Sequence, residues 1–179
     1  MGEVGFLDEL GEQDKYNTAE VYIKPPVRKN MYPGLIVKRD GECFLVITPA
    51  CDVSQGNAEY YQLLKMVRLE DIQAVREKGR SGNRKEVIKN LVRNSKNRFH
   101  YLPAFGEEVD MLVDFQSITT INKEVDYKEV VPLCAIASPF FKDIVNRFSS
   151  YYARQGSPDF DAETLSDQLN QRLHDQPLK

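Results

Sequence analysis

An Asp-Gly pair at positions 40 and 41 constrains the fold of this 179-residue chain more than any other feature. The pair separates two β-rich runs, at 34–39 and 43–48. A tight two-residue hairpin turn needs positive φ at its central positions, and Asp and Gly both tolerate it. The pair therefore predicts an antiparallel hairpin, and with it an antiparallel sheet.

Further strand candidates extend this hairpin to six or seven strands. Short runs rich in β-branched and aromatic residues, bounded by Pro, Gly or Asn, are typical of strands. The candidates are 19–23, 57–69, 99–102, 109–115 with Ile118, and 130–136. A helix stays an alternative for 57–69, because periodicity alone does not separate the two forms there.

Helix signals fall in three places. The first helix is expected over 84–98, and the second begins at Ser138 and Pro139, since Ser is a capping residue and Pro is favoured in the first turn. Apolar residues of the second helix recur at spacings of three and four and predict a face on the core. They are Phe140, Phe141, Ile144, Val145, Phe148, Tyr151 and Tyr152.

The last helix signal begins at Asp161, a capping residue. Its Leu165, Leu169 and Leu173 lie four apart, which makes only a thin apolar stripe. Short isolated helices are marginal without a packing partner. We therefore expect this helix, if ordered, to pack on a second copy or another protein.

The length allows one domain with an appendage. We expect an acidic mobile arm over 1–14, one β-barrel-like domain over 15–156 with a helical insertion at 70–98, and a C-terminal helical appendage over 157–179. The predicted fold class is α+β, a small, strongly bent antiparallel β-sheet or barrel with a basic helical insertion and C-terminal helices.

Composition argues against a membrane or disulfide-bonded protein. The longest apolar runs are far shorter than the roughly 18 residues that cross a bilayer, and the N-terminus is acidic where a signal peptide is basic. Cys43, Cys51 and Cys134 include no CxxC pair. We expect buried free thiols, no cofactor, no membrane partner and a cytoplasmic location.

Charge is strongly segregated along the chain. Residues 76–98 carry a net charge of +7, and the remainder carries −10. On a helix, Lys85, Lys89, Arg93 and Lys96 would fall within an arc of roughly 80°. Arg80 and Arg84 lie in or beside a Gly-containing loop, and Phe99 and Tyr101 follow directly.

Cations beside aromatic rings are typical of single-stranded nucleic acid binding, in which phosphates are neutralised and bases are stacked. The leading hypothesis is a non-enzymatic module that binds RNA or DNA through these eight residues. Two alternatives stay open. The cations form a solvated helix face over core aromatics, or they dock on an acidic protein surface such as the chain's own N-terminal arm.

Catalytic signals are sparse, and we leave catalytic residues unassigned. Cys51 and Asp52 follow a strand end, and with His100 as base they would form a nucleophile pair. The alternative is a buried thiol and a loop-capping carboxylate. Asp114, Asp126 and Lys128 match a loose spacing for a metal-dependent nuclease, but a pattern so permissive arises readily by chance, and we expect no metal site.

The two hairpin strands resemble the opening of PemK- and MazF-like toxins, which are small barrels. The resemblance covers about 20 of 179 residues, from Pro33 to Pro49. Leu35 stands where that family has Asp, and the family's Arg-Pro is absent, so its ribonuclease chemistry is carried over to no residue. The resemblance implies a small barrel in a bacterial or phage conflict or defence system, with an endoribonuclease as an alternative function.

Overall fold

A seven-stranded antiparallel sheet organises the protein. The computed structural model describes residues 18–28, 30–77, 83–124, 130–154 and 161–174. The strands are β1 (Tyr22–Ile23), β2 (Leu35–Arg39), β3 (Glu42–Val46), β4 (Tyr60–Arg68), β5 (Phe99–Leu102), β6 (Met111–Asn122) and β7 (Val131–Ile136), in the spatial order β1-β7-β2-β3-β4-β6-β5.

Five α-helices accompany the sheet in the part of the chain that is described. They are α1 (Ala50–Ser54), α2 (Gln73–Glu77), α3 (Arg84–Val92), α4 (Ser138–Ala153) and α5 (Ala162–His174). Two short 3-10 segments cover Thr18–Val21 and Leu69–Asp71. The predicted α+β class is therefore confirmed, with α2 and α3 forming the helical insertion.

The predicted hairpin is confirmed by the pairing of β2 with β3. Arg39 faces Glu42 at its closed end, and Asp40 and Gly41 occupy the turn with φ of 50° and 78°. Strand β4 extends the hairpin over Tyr60–Arg68 and removes the helical alternative for that segment. The sequence was sufficient to predict this turn, because the two residues with positive φ are adjacent in the chain.

The sheet bends until its two edges approach each other. Strand registers shift in β2 between Ile36 and Val37 and in β4 between Leu64 and Met66, and such irregularities bend a sheet. At the edges, the Tyr22 hydroxyl donates a hydrogen bond of 2.6 Å to the Pro103 carbonyl, which directly follows β5.

This contact does not close a barrel, because β1 and β5 do not pair with each other among the described strands. The bent sheet is thus confirmed, and the closed barrel is wrong. Strand β1 contains only two residues and is followed by Pro25 and Pro26, whose nitrogens cannot donate to a ladder. A side chain therefore joins the edges where backbone pairing would be needed for closure.

The main core lies between the inner face of the sheet and α4. Ile144 of α4 is fully buried against it, and Phe115 of β6 contacts Phe148 edge to face at 5.8 Å. Burial of each such side chain contributes about 1.5 to 3 kcal/mol. The predicted core-facing helix is confirmed, except that Tyr152 at its end is half exposed.

The outer face of the sheet carries two smaller clusters. Under α2 and α3, Val75 and Leu91 pack on Leu112 of β6. At the other end, Met31 and Val53 pack with residues of β2, β3 and β4. The insertion is thus attached to the sheet by an apolar base, which fixes the position of its polar side.

Several local predictions are corrected. Ala137 caps α4 in place of Ser138, which is already helical. Helix α3 ends at Val92 rather than extending to residue 98, and 50–54 forms a short helix where a strand exit was expected. Residues 18–21 form a 3-10 turn before β1. The acidic arm over 1–14 lies outside the described residues.

No helix in the described parts of the chain combines the length and apolar character needed to cross a membrane. Cys43 and Cys134 are buried free thiols, as predicted, and burial raises the pKa of each to about 11. Cys51 is exposed, contrary to prediction, because it lies on the short surface helix α1.

Candidate nucleic-acid interface

The cations of the insertion stand on a fixed base. Leu91 of α3 is buried against the sheet, and the Nε of Arg84 donates a hydrogen bond of 3.1 Å to the Val75 carbonyl of α2. These contacts hold α3 against its neighbours on the apolar side. The opposite side of the helix is consequently presented to solvent in a defined orientation.

Four predicted phosphate contacts are exposed on this surface. Lys85 and Lys89 lie on α3, Arg93 caps its C-terminus, and Lys96 lies in the loop before β5. Lys89 Nζ is 3.6 Å from a carboxylate oxygen of Glu86, an exposed pair that screens little of its charge. Arg80 lies outside the described residues.

The sequence predicted that the four cations share one helix face, and this prediction is wrong, because α3 ends at Val92. Asn94 has a φ of 55° and turns the chain away from the helix axis immediately after Arg93. Left-handed residues commonly end helices, and Asn tolerates the conformation better than most residues. Lys96 is therefore placed by the loop and not by helical periodicity.

The loop carrying Lys96 is anchored on both sides. Asn94 Oδ1 accepts a hydrogen bond of 2.7 Å from the Tyr101 backbone nitrogen. Arg147 of α4 donates from Nη2 to the carbonyls of Lys96 and Phe99, at 3.3 and 3.0 Å. The cationic surface of the insertion is thus linked directly to α4.

Phe99 and Tyr101 are partly covered by neighbouring side chains. Both rings are half buried in the cluster beneath α2 and α3, and the Arg98 guanidinium lies over the Phe99 ring at 4.8 Å. The Tyr101 hydroxyl donates to Asp110 at 2.5 Å, and its pKa is raised, first by burial and then by that carboxylate. Both rings thus take part in packing, and their stacking role stays a prediction.

Asp114 accepts four hydrogen bonds from three residues, so its carboxylate oxygens are already occupied. Arg98 donates to both carboxylate oxygens at 2.8 and 2.7 Å, Ser117 Oγ donates at 2.8 Å, and the Gln116 backbone nitrogen donates at 3.1 Å. Burial raises the pKa of Asp114, but these hydrogen bonds outweigh it and leave the pKa below its usual value.

The loose metal pattern also contained Asp126 and Lys128. Both lie outside the described residues. Within those residues, no three His, Cys, Asp or Glu side chains converge in a way that would hold a metal ion. Asp114 already binds a guanidinium, which competes for the oxygens a cation would need. The geometry therefore gives no support to a nuclease centre at Asp114.

The structure does not bring Cys51 and His100 together. In the sheet order β5 is three strands from β3, a separation of about 14 Å along the sheet. His100 of β5 is in register with Cys43 near the beginning of β3. Cys51, in contrast, follows the opposite end of β3. Cys51 Sγ contacts Asp52 Oδ1 at 3.5 Å. Because His100 is not beside Cys51, the predicted nucleophile–base pair does not form.

His100 is buried on the inner face of β5 beside α4. Its Nδ1 is 3.8 Å from Asp143 Oδ2 and has no hydrogen-bond partner. Burial is the main cause that lowers the pKa of His100 to about 4; Asp143 opposes this shift and Arg147 adds to it. His100 is thus a neutral core residue at physiological pH.

Two arginines, one within α4 and one directly after it, were missed by the sequence reasoning. Arg147 reaches the loop of the insertion, and Arg154 lies 4.8 Å above the ring of Tyr151. The helix was interpreted from its apolar residues alone. Both arginines border the apolar face of the periodic pattern, and they follow the basic segment by about 50 residues, so nothing local connected them with it.

Comparison of the chain with protein-family models, with curated proteins and with solved structures finds no match in any of the three. The resemblance to PemK- and MazF-like proteins over residues 33–49 therefore stays a prediction.

Proposed function

We propose that this protein is a non-enzymatic module that binds a strand of RNA or DNA through the cationic surface formed by α3 and the following loop. The observation that carries the proposal is the exposure of Lys85, Lys89, Arg93 and Lys96 on a segment anchored to both faces of the sheet. Fixed cations neutralise phosphates with less loss of side-chain and loop entropy than mobile ones.

The residues have different roles in this proposal. Lys85, Lys89, Arg93 and Lys96 contact phosphates, and Arg80 stays a predicted loop contact. Arg84 contributes charge, but its Nε already binds the Val75 carbonyl. Phosphate contacts carry no base information, so binding should be tolerant of sequence.

Salt dependence tests the proposal. Fluorescence anisotropy with labelled single-stranded RNA and DNA 12-mers should give a log K that falls linearly with log salt. Neutralising four to six phosphates predicts a slope of about −3 to −5. A flat dependence, or no binding of either oligonucleotide at low salt, would contradict the proposal.

A nuclease is not retained as a second candidate, because neither candidate centre has a supporting observation. Asp114 forms a two-pronged ion pair with Arg98, and Cys51 is remote from His100. We expect purified protein to leave labelled RNA and DNA intact with Mg²⁺, Mn²⁺ or EDTA. Cleavage of RNA in EDTA would indicate a metal-free ribonuclease. Cleavage only with Mg²⁺ or Mn²⁺ would indicate a metal-dependent nuclease.

Protein interaction through α5 is retained, because a specific observation favours it. Every residue of α5 is exposed, including Leu165, Leu169 and Leu173, so the helix buries none of its apolar stripe on the described parts of this chain. The partner would be a second copy or another protein. A cytoplasmic location and a role in a bacterial or phage conflict system also stay predictions.

A further inference from the structure

A second cationic site lies where the insertion meets α4. A cleft of about 370 Å³ opens between this helix and the loop before β5. It is lined by Asn97, Asn146, Arg147, Ser150, Tyr151 and Arg154. Ligand pockets range from about 300 to 1,000 Å³, so the cleft suits a ligand of one-nucleotide size or smaller.

The polar groups around this cleft are suited to an anion. Among the described residues, its lining contains two guanidinium groups, two side-chain amides and two hydroxyls, and no carboxylate. Guanidinium groups match phosphate oxygens in a planar, two-pronged geometry. The Ser150 hydroxyl donates to the Asn146 carbonyl at 2.8 Å, which leaves anion binding to the arginine and asparagine donors.

Arg147 provides the strongest indication of a ligand. Its Nη2 is held by the Lys96 and Phe99 carbonyls, so the guanidinium plane is fixed. Its Nε is buried and has no hydrogen-bond partner in the described structure. Buried charged donors without an acceptor are rare and costly, so the Arg147 guanidinium keeps unused donor capacity beside the cleft.

Arg154 closes the cleft from the C-terminal end of α4. Its guanidinium lies over the Tyr151 ring, and that ring is fixed by a hydrogen bond with Gln116 and by contact with Phe115 at 6.1 Å. The guanidinium of Arg154 is exposed. It takes part in none of the ion pairs formed within the described residues. It can therefore turn toward a bound phosphate at little cost.

We propose that this cleft binds a nucleotide phosphate, with Arg147 and Arg154 as its cationic donors. The inference rests on the proposed function and extends it, since Lys96 joins the cleft to the cations of α3. The bound group is either a phosphate within the strand or a terminal or free phosphate. Both present the same oxyanion, and the experiments below separate them.

The first experiment compares Arg154→Gln with Lys142→Gln. Each change removes one exposed cation, from α4 or from the residue directly after it, but Lys142 does not line the cleft. Arg154→Gln should weaken 12-mer binding about three- to tenfold and reduce the salt slope by about 0.7, the value for one single-strand phosphate. Lys142→Gln should change affinity less than twofold. Equal effects of the two variants would overturn the proposal.

The second experiment follows the full-length wild-type protein by NMR during titration with inorganic phosphate, AMP, and 12-mers with and without a 5′-phosphate. Shifts of Ser150, Tyr151 and Arg154 amides that saturate with AMP or phosphate, or a preference for the 5′-phosphorylated 12-mer, indicate a terminal or free phosphate. Saturation with both 12-mers alike indicates an internal one. Absence of these shifts with every probe overturns the cleft proposal.

These outcomes separate the two proposals. If strand binding depends on Arg93 and Lys89 but the cleft amides do not shift, the α3 surface is retained as the interface and the cleft proposal is rejected. Saturable phosphate binding in the cleft without any strand binding retains the cleft and rejects the α3 surface as a nucleic-acid interface.

Discussion

Arg98 and Asp114 form a two-pronged ion pair that fixes the beginning of β5 on β6, with the carboxylate only 3% exposed. Phe99 lies opposite Asp114 in the strand register, so the pair adjoins the first rung of the ladder. The loop carrying Lys96 ends at this point. The ion pair therefore stabilises the part of the fold that presents the cationic surface.

The two sides of this pair should respond unequally to substitution. Asp114→Asn leaves a half-exposed arginine that water can solvate, and it should lower the free energy of unfolding by about 1.5 to 3 kcal/mol. Arg98→Ala leaves a buried carboxylate without its cation and should cost about 3 to 5 kcal/mol. Urea unfolding monitored by circular dichroism measures both.

Arg68 provides the control for that comparison. Its ion pair with Glu70, at 3.8 Å, is exposed on both sides, so Arg68→Ala should cost less than about 0.5 kcal/mol. An Arg98→Ala variant as stable as Arg68→Ala would show that the buried pair does not anchor β5.

Acid should destabilise the fold through His100. In the unfolded chain the histidine binds a proton near pH 6.5, whereas burial keeps it neutral in the fold down to about pH 4. Protons therefore favour the unfolded state within this window, and stability falls as the pH is lowered from 6.5 to 4. The contribution is at most about 3 kcal/mol.

Stability curves over that window test the role of His100. His100→Leu should flatten the curve between pH 6.5 and 4, whereas His174→Leu, at the exposed end of α5, should leave it unchanged. Identical curves for wild type and His100→Leu would mean that the histidine is not buried as a neutral base. Loss of stability through Asp114 begins only near about pH 5, and it is shared by all three proteins, so it does not affect the comparison.

Gly34 and Gly41 form a matched pair for backbone strain and packing. Both have positive φ, of 87° and 78°. A Cβ at Gly34 would lie 3.2 Å from the Phe141 ring of α4, whereas nothing lies within 4 Å of one at Gly41.

Gly41→Ala should cost about 1 to 2 kcal/mol for backbone strain alone. Gly34→Ala should cost about 1 to 3 kcal/mol more, because Phe141 must also move. Thermal unfolding of both variants measures the difference. Equal costs would show that α4 packs less tightly on β2 than the contact implies.

Removal of residues 161–179 should leave the domain folded. Helix α5 buries no residue, so the truncated chain should melt within about 2 °C of the full chain, while its oligomeric state or partner binding changes. Light scattering and calorimetry of the two chains test this. Loss of cooperative unfolding on truncation would assign α5 to the core.

Local signals in the sequence predicted the elements well. The Asp40-Gly41 turn was found because its two unusual φ values fall on adjacent residues, and the cap of α5 was found because Asp161 Oδ1 accepts from the Thr164 backbone nitrogen, three residues on. The end of α3 was missed, since positive φ at Asn94 depends on the hydrogen bond that anchors its side chain to Tyr101.

Tertiary pairing explains the errors at the site. Asp114 was interpreted as a possible metal ligand because nothing local indicates that Arg98, sixteen residues earlier, lies beside it. Alternation in β5 places Phe99 and Tyr101 on one face, but it does not reveal that the insertion covers that face. Exposed cations could be predicted from charge alone, whereas the exposure of aromatic rings depends on packing.

Charge reversal at two matched arginines tests the central claim most directly. Arg93 at the end of α3 and Arg172 in the last turn of α5 are both exposed, so Arg93→Glu and Arg172→Glu change the net charge equally. If the α3 surface binds nucleic acid, Arg93→Glu should weaken binding of single-stranded 12-mers about tenfold, whatever their sequence, and Arg172→Glu should weaken it less than twofold. Equal losses in the two variants, or undiminished binding by Arg93→Glu, would contradict the account.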